Sequence, residues 1–231
     1  MPRVLLISHE PSGGPGVVGE ILRERGFETE LHVVLEDAAN PNTQYPDPTG
    51  FDAVMAFGSF WSVYDADARH WVDPEVHYLR RLIADDVAYL GVCFGGQMLA
   101  EAWGGDVQPA PPGSAEVGLV TFPQADGVPS GPWFTWHGDR VVLPPDVDVL
   151  ARNANAAQVF RRGRQAGTQF HPEANLALVS SWVEAGEDHI PGETTGRQVL
   201  DAVESNQATL RRNCEQLVDW FIREVADLPA P

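Results

Sequence analysis

Basic side chains are scarce in this chain of 231 residues. Lys and Arg together number 15 against 33 Asp and Glu, which gives a formal net charge of −18 at pH 7. A surface with this charge repels a polyanion over most of its area, so we expect no nucleic-acid partner. The same charge favours solubility and says little about the fold.

Cysteine is scarce as well, since only Cys93 and Cys214 are present. Two cysteines, one of them in a glycine-rich segment, do not make a disulfide framework, so we expect a reducing compartment. The apolar run 4–7 is too short for a signal peptide, and no stretch approaches the roughly 18 apolar residues of a membrane-spanning helix. We therefore expect a cytoplasmic protein without membrane contact.

Short apolar runs alternate with helical patterns along the first 105 residues. The runs predict strands at 4–8, 29–35, 52–57 and 87–92, and the 3.6-residue spacing predicts helices at 17–25, 73–84 and 97–103. Asp73-Pro74 is typical of an N-cap followed by Pro at the first helical position. Such alternation is typical of an α/β fold.

Residues 106–170 differ in character, because Pro/Gly-rich turns separate short strand-like pieces at 117–122, 147–151 and 158–160. From about residue 176 the spacing is helical, with an interruption at 190–192 and a long amphipathic stretch at 195–225. We find no linker, and we expect a single domain over 1–231 with a C-terminal helical extension from about 176. The pattern predicts a doubly wound, mostly parallel sheet with helices on both faces.

Cys93 ends a buried-type strand and precedes a helix, inside the segment 91–97 (GVCFGGQ). Glycines around a residue at a sharp strand-to-helix turn are typical of a nucleophile elbow, which holds the side chain out toward a ligand. The positive end of the helix favours a thiolate over a thiol. We therefore predict that Cys93 is a nucleophile rather than a core cysteine.

A thiolate nucleophile needs a histidine as general base and acid, oriented by a third group. His171 follows the strand-like run 168–170, and Pro172 fixes the turn after it. Glu173, two residues further on, can hold the far ring nitrogen. Taken alone, the segment also fits a solvated His and Glu in a loop.

Together, the segments 91–97 and 170–173 (FHPE), in this order, resemble the signature of the class I glutamine amidotransferases. The segment 136–139 (WHGD) is similar to the branch that contains the amidotransferase domain of GMP synthetase. The resemblance covers roughly residues 50–175. It implies a flavodoxin-like fold and attack of Cys93 on a side-chain amide, with a γ-glutamyl thioester that water hydrolyses.

Two backbone N–H groups should stabilise the oxyanion of such a reaction. The resemblance implies Phe94 N–H as one donor and an N–H of the loop Gly58-Ser59-Phe60 as the other. Ser59 and Phe60 depart from the family's Gly-Gly-Pro, and a left-handed or flipped peptide there would be strained for a non-glycine residue. The hole is then either incomplete or built by a different backbone conformation.

The resemblance also implies a substrate side of the pocket, formed by Gln97, Val117 and Gly118, together with Gly58. Trp136 and His137 belong to the segment that carries the likeness to the GMP synthetase branch. A helix-surface amide for Gln97, an ordinary strand for Val117 and Gly118, and an aromatic wall with a satisfied loop histidine for Trp136-His137 are the alternative interpretations.

Other groups of residues give weaker indications of a function. His70 and His77 lack a Cys or Asp at metal-ligand spacing, so we expect no metal, and we expect no cofactor. Aromatic residues crowd the stretch 60–78, beside the supposed oxyanion loop. They fit the core better than recognition, although a wall for an apolar amine is an alternative.

Three functions stay open. The first is a glutaminase that releases glutamate and ammonia for a separate synthetase subunit. The second is a free-standing hydrolase of γ-glutamyl amides, which the departures at Ser59 and Phe60 favour slightly. The third is a non-catalytic interaction protein of the same fold, which fits poorly because Cys93, His171 and Glu173 are all present.

Overall fold

A computed structural model describes residues 1–123, 125, 127–186, 190–191 and 194–229. Its strands are β1 (Arg3–Ser8), β2 (Glu28–Val33), β3 (Ala53–Ala56), β4 (Ala88–Val92), β5 (Asp106–Pro109), β6 (Glu116–Val120), β7 (Trp133–His137), β8 (Asp139–Val142), β9 (Asp148–Arg152), β10 (Ala157–Arg162) and β11 (Gln165–Thr168). Its α-helices are α1 (Gly16–Glu24), α2 (Arg69–Ala84), α3 (Phe94–Ala102), α4 (Leu176–Gly186) and α5 (Gly196–Trp220), and a π-helical turn (Phe221–Val225) continues α5.

The central sheet has seven strands in the order β2-β1-β3-β4-β11-β10-β9. In this order, the five strands β2, β1, β3, β4 and β11 are parallel, and β10 and β9 extend the sheet with antiparallel pairing. Two small antiparallel pairs, β5 with β8 and β6 with β7, lie outside it. The predicted flavodoxin-like, mostly parallel architecture is confirmed.

Both faces of the sheet are buried under helices. Along β1, Leu6 belongs to the cluster that includes residues of α1 and α5, whereas Leu5 and Ile7 belong to the cluster that includes residues of α2 and α3. Successive side chains of a strand point to opposite faces, so a strand covered on both sides needs a continuous apolar run. That is why the run 4–8 predicts a buried strand correctly.

The predicted start of α2 at Asp73 is wrong. The helix begins at Arg69, and Pro74 lies inside it. Trp71 and Val72 in the early turns are buried against the core. Burial of these two side chains outweighs the backbone hydrogen bond that Pro74 cannot donate. Helix α3 likewise begins at Phe94, three residues before the predicted start.

The C-terminal helices follow the prediction more closely. Helix α4 begins at Leu176, and α5 begins after Thr195, which caps it in a capping box with Gln198. Residue 192 of the predicted interruption lies outside the described residues. No helix in the described part of the chain is long and apolar enough to cross a membrane. The organisation of 1–231 as a single domain stays a prediction.

Candidate active site

Cys93 occupies a sharp turn between β4 and α3, with φ of 50° and ψ of −107°. A positive φ is costly for a residue with a side chain and persists only where the surroundings enforce it. The turn is tight because its neighbours lack Cβ atoms. A Cβ on Gly91 would lie 2.5 Å from the backbone of Gly95, and a Cβ on Gly95 would overlap the carbonyl oxygen of Ala56.

The Cys93 side chain lines a cavity of about 290 Å³ and is 6% exposed. Strand β11 runs beside β4, and the Cys93 N–H donates to the Thr168 carbonyl at 2.8 Å. The parallel pairing brings the residues that follow Thr168 next to the sulfur. Gln169 Nε2 donates to Cys93 Sγ at 3.6 Å, and the Trp136 carbonyl oxygen lies 3.9 Å from Sγ on the other side.

His171 also lines the cavity, and its Nδ1 bonds Glu173 Oε1 at 2.7 Å. Burial alone lowers the pKa of His171, but the charges of Glu173 and Cys93 and the hydrogen bonds to both raise it well above its usual value. The arrangement therefore favours an imidazolium beside the sulfur. Glu173 itself is almost fully buried, and its backbone carbonyl accepts from Val17 N–H at 3.0 Å, which fixes the turn.

Cys214 is placed very differently. It lies in the middle of α5 with no exposed surface, inside the cluster between the sheet and this helix. Burial raises the pKa of the Cys214 thiol well above its usual value. Of the two cysteines, Cys93 alone reaches a cavity.

The loop Gly58-Ser59-Phe60 forms one wall, and all three residues line the cavity. Gly58 packs on the His171 ring, since a Cβ there would lie 2.8 Å from Cε1. Neither Ser59 nor Phe60 has a positive φ. The non-glycine residues of the described chain that do have one are Asp86, Cys93 and Asp227. The expected left-handed strain at Ser59 is therefore absent.

The first turn of α3 meets the same wall. Phe94 is the first residue of the helix, and the N–H groups of a first turn have no partner within their own helix. Gly95 N–H donates to the Phe57 carbonyl at 3.1 Å, which ties the helix start to the strand that leads into the loop. Phe94 itself lines the cavity beside Cys93.

The predicted substrate-side residues are only partly brought together. Gln97, Val117, Trp136 and His137 line the cavity, whereas Gly118 does not. Gly118 lies in β6 with φ of 117°, a backbone conformation that favours glycine.

His137 ends β7 rather than lying in a loop, and both of its ring nitrogens have partners. Nδ1 lies 2.9 Å from the Asp139 carbonyl oxygen, and Nε2 lies 3.1 Å from Glu116 Oε2. These bonds make it a satisfied histidine at the edge of the cavity.

The model of the family "Glutamine amidotransferase class-I" matches residues 17–181 of this chain. The chain belongs to the class I glutamine amidotransferases. Among similar proteins, a GMP synthase (glutamine-hydrolyzing) of Thermomicrobium roseum is 39% identical over 131 residues, which cover 52% of this chain and 23% of the relative. A gamma-glutamyl-L-1-hydroxyisopropylamide hydrolase of a Pseudomonas species is 27% identical over 181 residues, which cover 70% of this chain and 59% of that protein.

The matched segments thus span less than two thirds of these two relatives. Among solved structures, a glutamine amidotransferase from Thermotoga maritima has a TM-score of 0.84 at 23% identity, over 96% of this chain and 98% of that one. A glutamine amidotransferase from Methylobacillus flagellatus has a TM-score of 0.83 at 23% identity, over 97% of this chain and 96% of that one. These likenesses show that the family's fold is shared along nearly the whole chain.

The aromatic residues of the stretch 60–78, for which the sequence left two interpretations, divide between the core and the mouth of the cavity. Trp71 and Tyr78 are buried in the core, whereas Phe60 and Trp61 line the cavity and are 51% and 40% exposed. The wall interpretation therefore applies to two members of the stretch. Tyr64 is exposed as well, and its hydroxyl donates to Asp139 at 2.7 Å.

Sequence reasoning missed several cavity residues: Glu10, Gly13, Ser62, Ala115, Gly138, Asp139, Trp182 and Pro191. Glu10 follows β1 at the same sheet edge as Cys93, so the rule that ligands bind at the carboxyl ends of strands could have found it. Trp182 lies in α4 and has no local signal. Its ring packs 4.9 Å from the His171 ring, and its Nε1 donates to the Ser12 carbonyl.

Among the described residues, no group of three or more His, Cys, Asp or Glu side chains could hold a metal ion. His70 Nδ1 lies 2.8 Å from the Asp67 carbonyl oxygen, and His77 Nδ1 lies 3.1 Å from that of Asp73.

Proposed function

We propose that this protein hydrolyses the side-chain amide of glutamine through a thioester on Cys93, releasing glutamate and ammonia for a separate synthetase partner. The observation that carries the proposal is that Cys93 and His171 line the same cavity, with Glu173 Oε1 2.7 Å from His171 Nδ1. This is the arrangement of a nucleophile, a general base and an orienting carboxylate.

The proposed reaction begins with transfer of the Cys93 proton to His171. The sulfur then attacks the amide carbonyl carbon, an S–C bond forms, and the carbonyl π pair moves to the oxygen. Phe94 N–H and Ser59 N–H are the proposed donors to this oxyanion. As the C–N bond breaks, the imidazolium of His171 gives its proton to the leaving nitrogen.

Water completes the cycle. With the proton gone to ammonia, the neutral His171 ring accepts a proton from water, whose oxygen attacks the thioester carbonyl. The S–C bond then breaks, glutamate leaves, and Cys93 recovers its proton from His171. Glu173 holds Nδ1–H throughout and stabilises the imidazolium whenever it forms.

Acidic side chains of the cavity match the free amino end of such a substrate. Glu10 and Asp139 both line the cavity, and a carboxylate is the natural partner of an α-ammonium group. Gln97 lies beside Cys93 and offers an amide donor and acceptor. These three residues are proposed contacts of the glutamyl group.

The second candidate is hydrolysis of a γ-glutamyl amide whose amine is larger than ammonia. Phe60 and Trp61 favour it, because they give the mouth an apolar wall that ammonia does not need. The relative from a Pseudomonas species carries the name of a hydrolase of this kind. A glutamine-hydrolyzing GMP synthase subunit of Sulfolobus acidocaldarius favours the first candidate; it is 33% identical over 162 residues, which cover 62% of this chain and 82% of that protein.

The compartment and domain organisation belong to the same proposal. Cys93 and Cys214 are both free thiols, and the chemistry needs Cys93 reduced. We therefore place the protein in the cytoplasm, acting as one domain over residues 1–231.

Incubating the purified protein alone with glutamine and, separately, with γ-glutamyl-anilide tests both candidates. Release of ammonia without release of aniline supports the first, and the reverse supports the second. Cys214→Ala is the matched control and should leave either activity within about twofold, because this thiol lies away from the cavity and takes no part in the chemistry. Activity that survives Cys93→Ala would overturn the thioester mechanism in both.

A further inference from the structure

A buried ion pair lies directly behind the oxyanion loop and takes no part in the mechanism above. His9 and Glu75 have no exposed surface, and His9 Nε2 lies 3.3 Å from both carboxylate oxygens of Glu75. Tyr45 OH donates to Glu75 Oε2 at 2.8 Å. Ionisable groups buried in this way cost free energy even when they are paired, so this pair calls for a reason.

The other side of the His9 ring gives that reason. Nδ1 lies 3.0 Å from the carbonyl oxygen of Gly58. A carbonyl oxygen only accepts, so Nδ1 must carry a proton for this bond to form. Burial lowers the pKa of His9, but the charge and the hydrogen bond of Glu75 together raise it above its usual value, which keeps a proton available for Nδ1.

The direction of the Gly58 carbonyl decides where the next N–H points. A trans peptide is planar, and its C=O and N–H point to opposite sides. His9 draws the Gly58 oxygen toward the protein interior, where Phe94 packs edge-on against the His9 ring at 4.8 Å. The Ser59 N–H then points away from His9, toward the wall that Gly58 and Ser59 present to the cavity.

The neighbour of His9 holds the next part of the loop. Glu10 Oε1 accepts from Ser59 Oγ at 2.6 Å and from Phe60 N–H at 3.3 Å. His9 and Glu10, in the β1–α1 connection, therefore make hydrogen bonds to the three consecutive residues Gly58, Ser59 and Phe60 of the oxyanion loop. A glycine-proline sequence limits a loop through its own backbone, whereas Ser59 and Phe60 are held here by side chains from another strand end.

We infer that His9 and Glu10 are positioning residues that hold the Gly58–Ser59 peptide so that Ser59 N–H serves as the second oxyanion donor, with Glu75 and Tyr45 fixing the His9 ring. The inference rests on the proposed function, because an oxyanion forms only if Cys93 attacks a carbonyl. It also accounts for an oxyanion loop without the glycine and proline of the family pattern.

Two substitutions of His9 separate positioning from simple packing. The amide nitrogen of Asn in His9→Asn occupies nearly the place of Nδ1 and can still donate to Gly58, whereas the longer Gln in His9→Gln reaches the place of Nε2 and Glu75 instead. We expect His9→Gln to lower kcat on the better substrate by about 10- to 100-fold with little change in KM, because a misdirected donor costs about this much. In His9→Asn, kcat should fall by less than about fivefold, because the hydrogen bond to the Gly58 carbonyl is kept.

The rate of Cys93 alkylation by iodoacetamide serves as the control for a general structural defect. Such a defect would change this rate, whereas loss of an oxyanion donor would not. Alkylation displaces iodide and builds no oxyanion, so both variants should react at the parent's rate. Equal loss of kcat in both variants, or loss of alkylation together with kcat, would overturn the inference. A kcat of His9→Gln within twofold of the parent would overturn it as well.

A second pair of variants covers the case in which His9→Gln does not fold. Ser59→Ala removes the bond to Glu10 and the bond that Trp61 N–H donates to Ser59 Oγ, whereas Glu10→Gln keeps an acceptor for the Ser59 hydroxyl. Ser59→Ala should lower kcat by about three- to tenfold, because these bonds hold the loop, and Glu10→Gln should lower it less. The reverse order would contradict the proposed role of Glu10.

Amide hydrogen exchange of the peptide that contains residues 58–61 separates this inference from the proposed function. In the parent, Phe60 N–H donates to Glu10 and Trp61 N–H donates to Ser59 Oγ, so these two amides should exchange more slowly than in Ser59→Ala and His9→Gln. A parent that is inactive on every γ-glutamyl substrate contradicts the proposed function, and the exchange result still decides whether His9 and Glu10 hold the loop. Unchanged exchange in both variants contradicts the holding itself.

Discussion

The inner end of the cavity and its mouth differ in how their side chains are held. At the inner end, Cys93 and His171 follow neighbouring parallel strands, and backbone contacts fix both of them. At the mouth, Phe60 and Trp61 come from a loop and Asp139 from the start of β8, and the two aromatic residues are about half exposed. The inner end tolerates little displacement, while the mouth can change its side chains without disturbing the sheet.

This difference separates chemistry from selectivity. The proposed nucleophilic attack needs Cys93 and His171 at the same end of the cavity with Glu173 on the His171 ring, and the strand ends hold these residues in place. Recognition of the leaving amine needs only a surface of suitable polarity at the mouth. We expect substitutions at the inner end to change kcat and substitutions at the mouth to change KM and the preferred amide.

The largest effect should follow Cys93→Ala, which removes the nucleophile at the inner end. We expect kcat to fall by at least about 10⁴-fold, since the covalent route is lost while substrate binding remains. Steady-state ammonia or amine release measures it. Cys214→Ala should stay near the parent rate, because this thiol lies in the core. Comparable losses in the two variants would mean that the assay reports unfolding.

The next effect should follow Glu173→Gln, which keeps the shape of the orienting side chain and removes its charge. We expect kcat to fall by about 10²- to 10³-fold with the fold intact, because the neutral amide no longer stabilises the imidazolium of His171. Glu116→Gln makes the same change beside His137 and should cost far less, because the His137 ring nitrogens bond Glu116 and the Asp139 carbonyl rather than the nucleophile. Equal losses would remove Glu173 from its proposed role.

The same comparison explains how much of the molecule the sequence could predict. The runs 4–8 and 87–92 are short, apolar and bounded by turn residues, so local pattern suffices for β1 and β4. Cys93 and His171 could be paired because the segments 91–97 and 170–173 together resemble the family signature. Local reasoning suffices where the backbone of one segment determines the outcome.

Long-range contacts were beyond that reasoning. The start of α2 depends on burial of Trp71, which outweighs the signal of Asp73-Pro74. The strand-end rule places Glu10 near the site, but its hydrogen bond to Ser59 joins residues 49 positions apart. Trp182 reaches His171 from a helix with an ordinary apolar pattern. None of these contacts follows from the apolar pattern of a single helix or strand.

At the mouth, Phe60→Ala and Trp61→Ala should each raise KM for γ-glutamyl-anilide by about tenfold and leave KM for glutamine within about twofold. Loss of an aromatic contact with the amine is worth about 1.4 kcal/mol, and ammonia makes no such contact. Leu31→Ala removes another exposed apolar side chain, at the far edge of the sheet, and controls for surface effects. Equal changes for the two substrates would contradict a mouth that selects the amine.

The smallest effect should appear in stability rather than rate. The folded pKa of His171 is raised by Glu173 and Cys93, so its contribution to the free energy of unfolding is fully present below the unfolded pKa of about 6.5. That contribution is lost as the pH rises through the raised folded pKa. Glu173→Gln weakens the cause of the shift and leaves the His9 pair in place. Urea unfolding at pH 6 and pH 9 should therefore show a smaller loss of stability with pH in Glu173→Gln than in the parent, and an equal loss in both would mean that Glu173 does not hold the charge on His171.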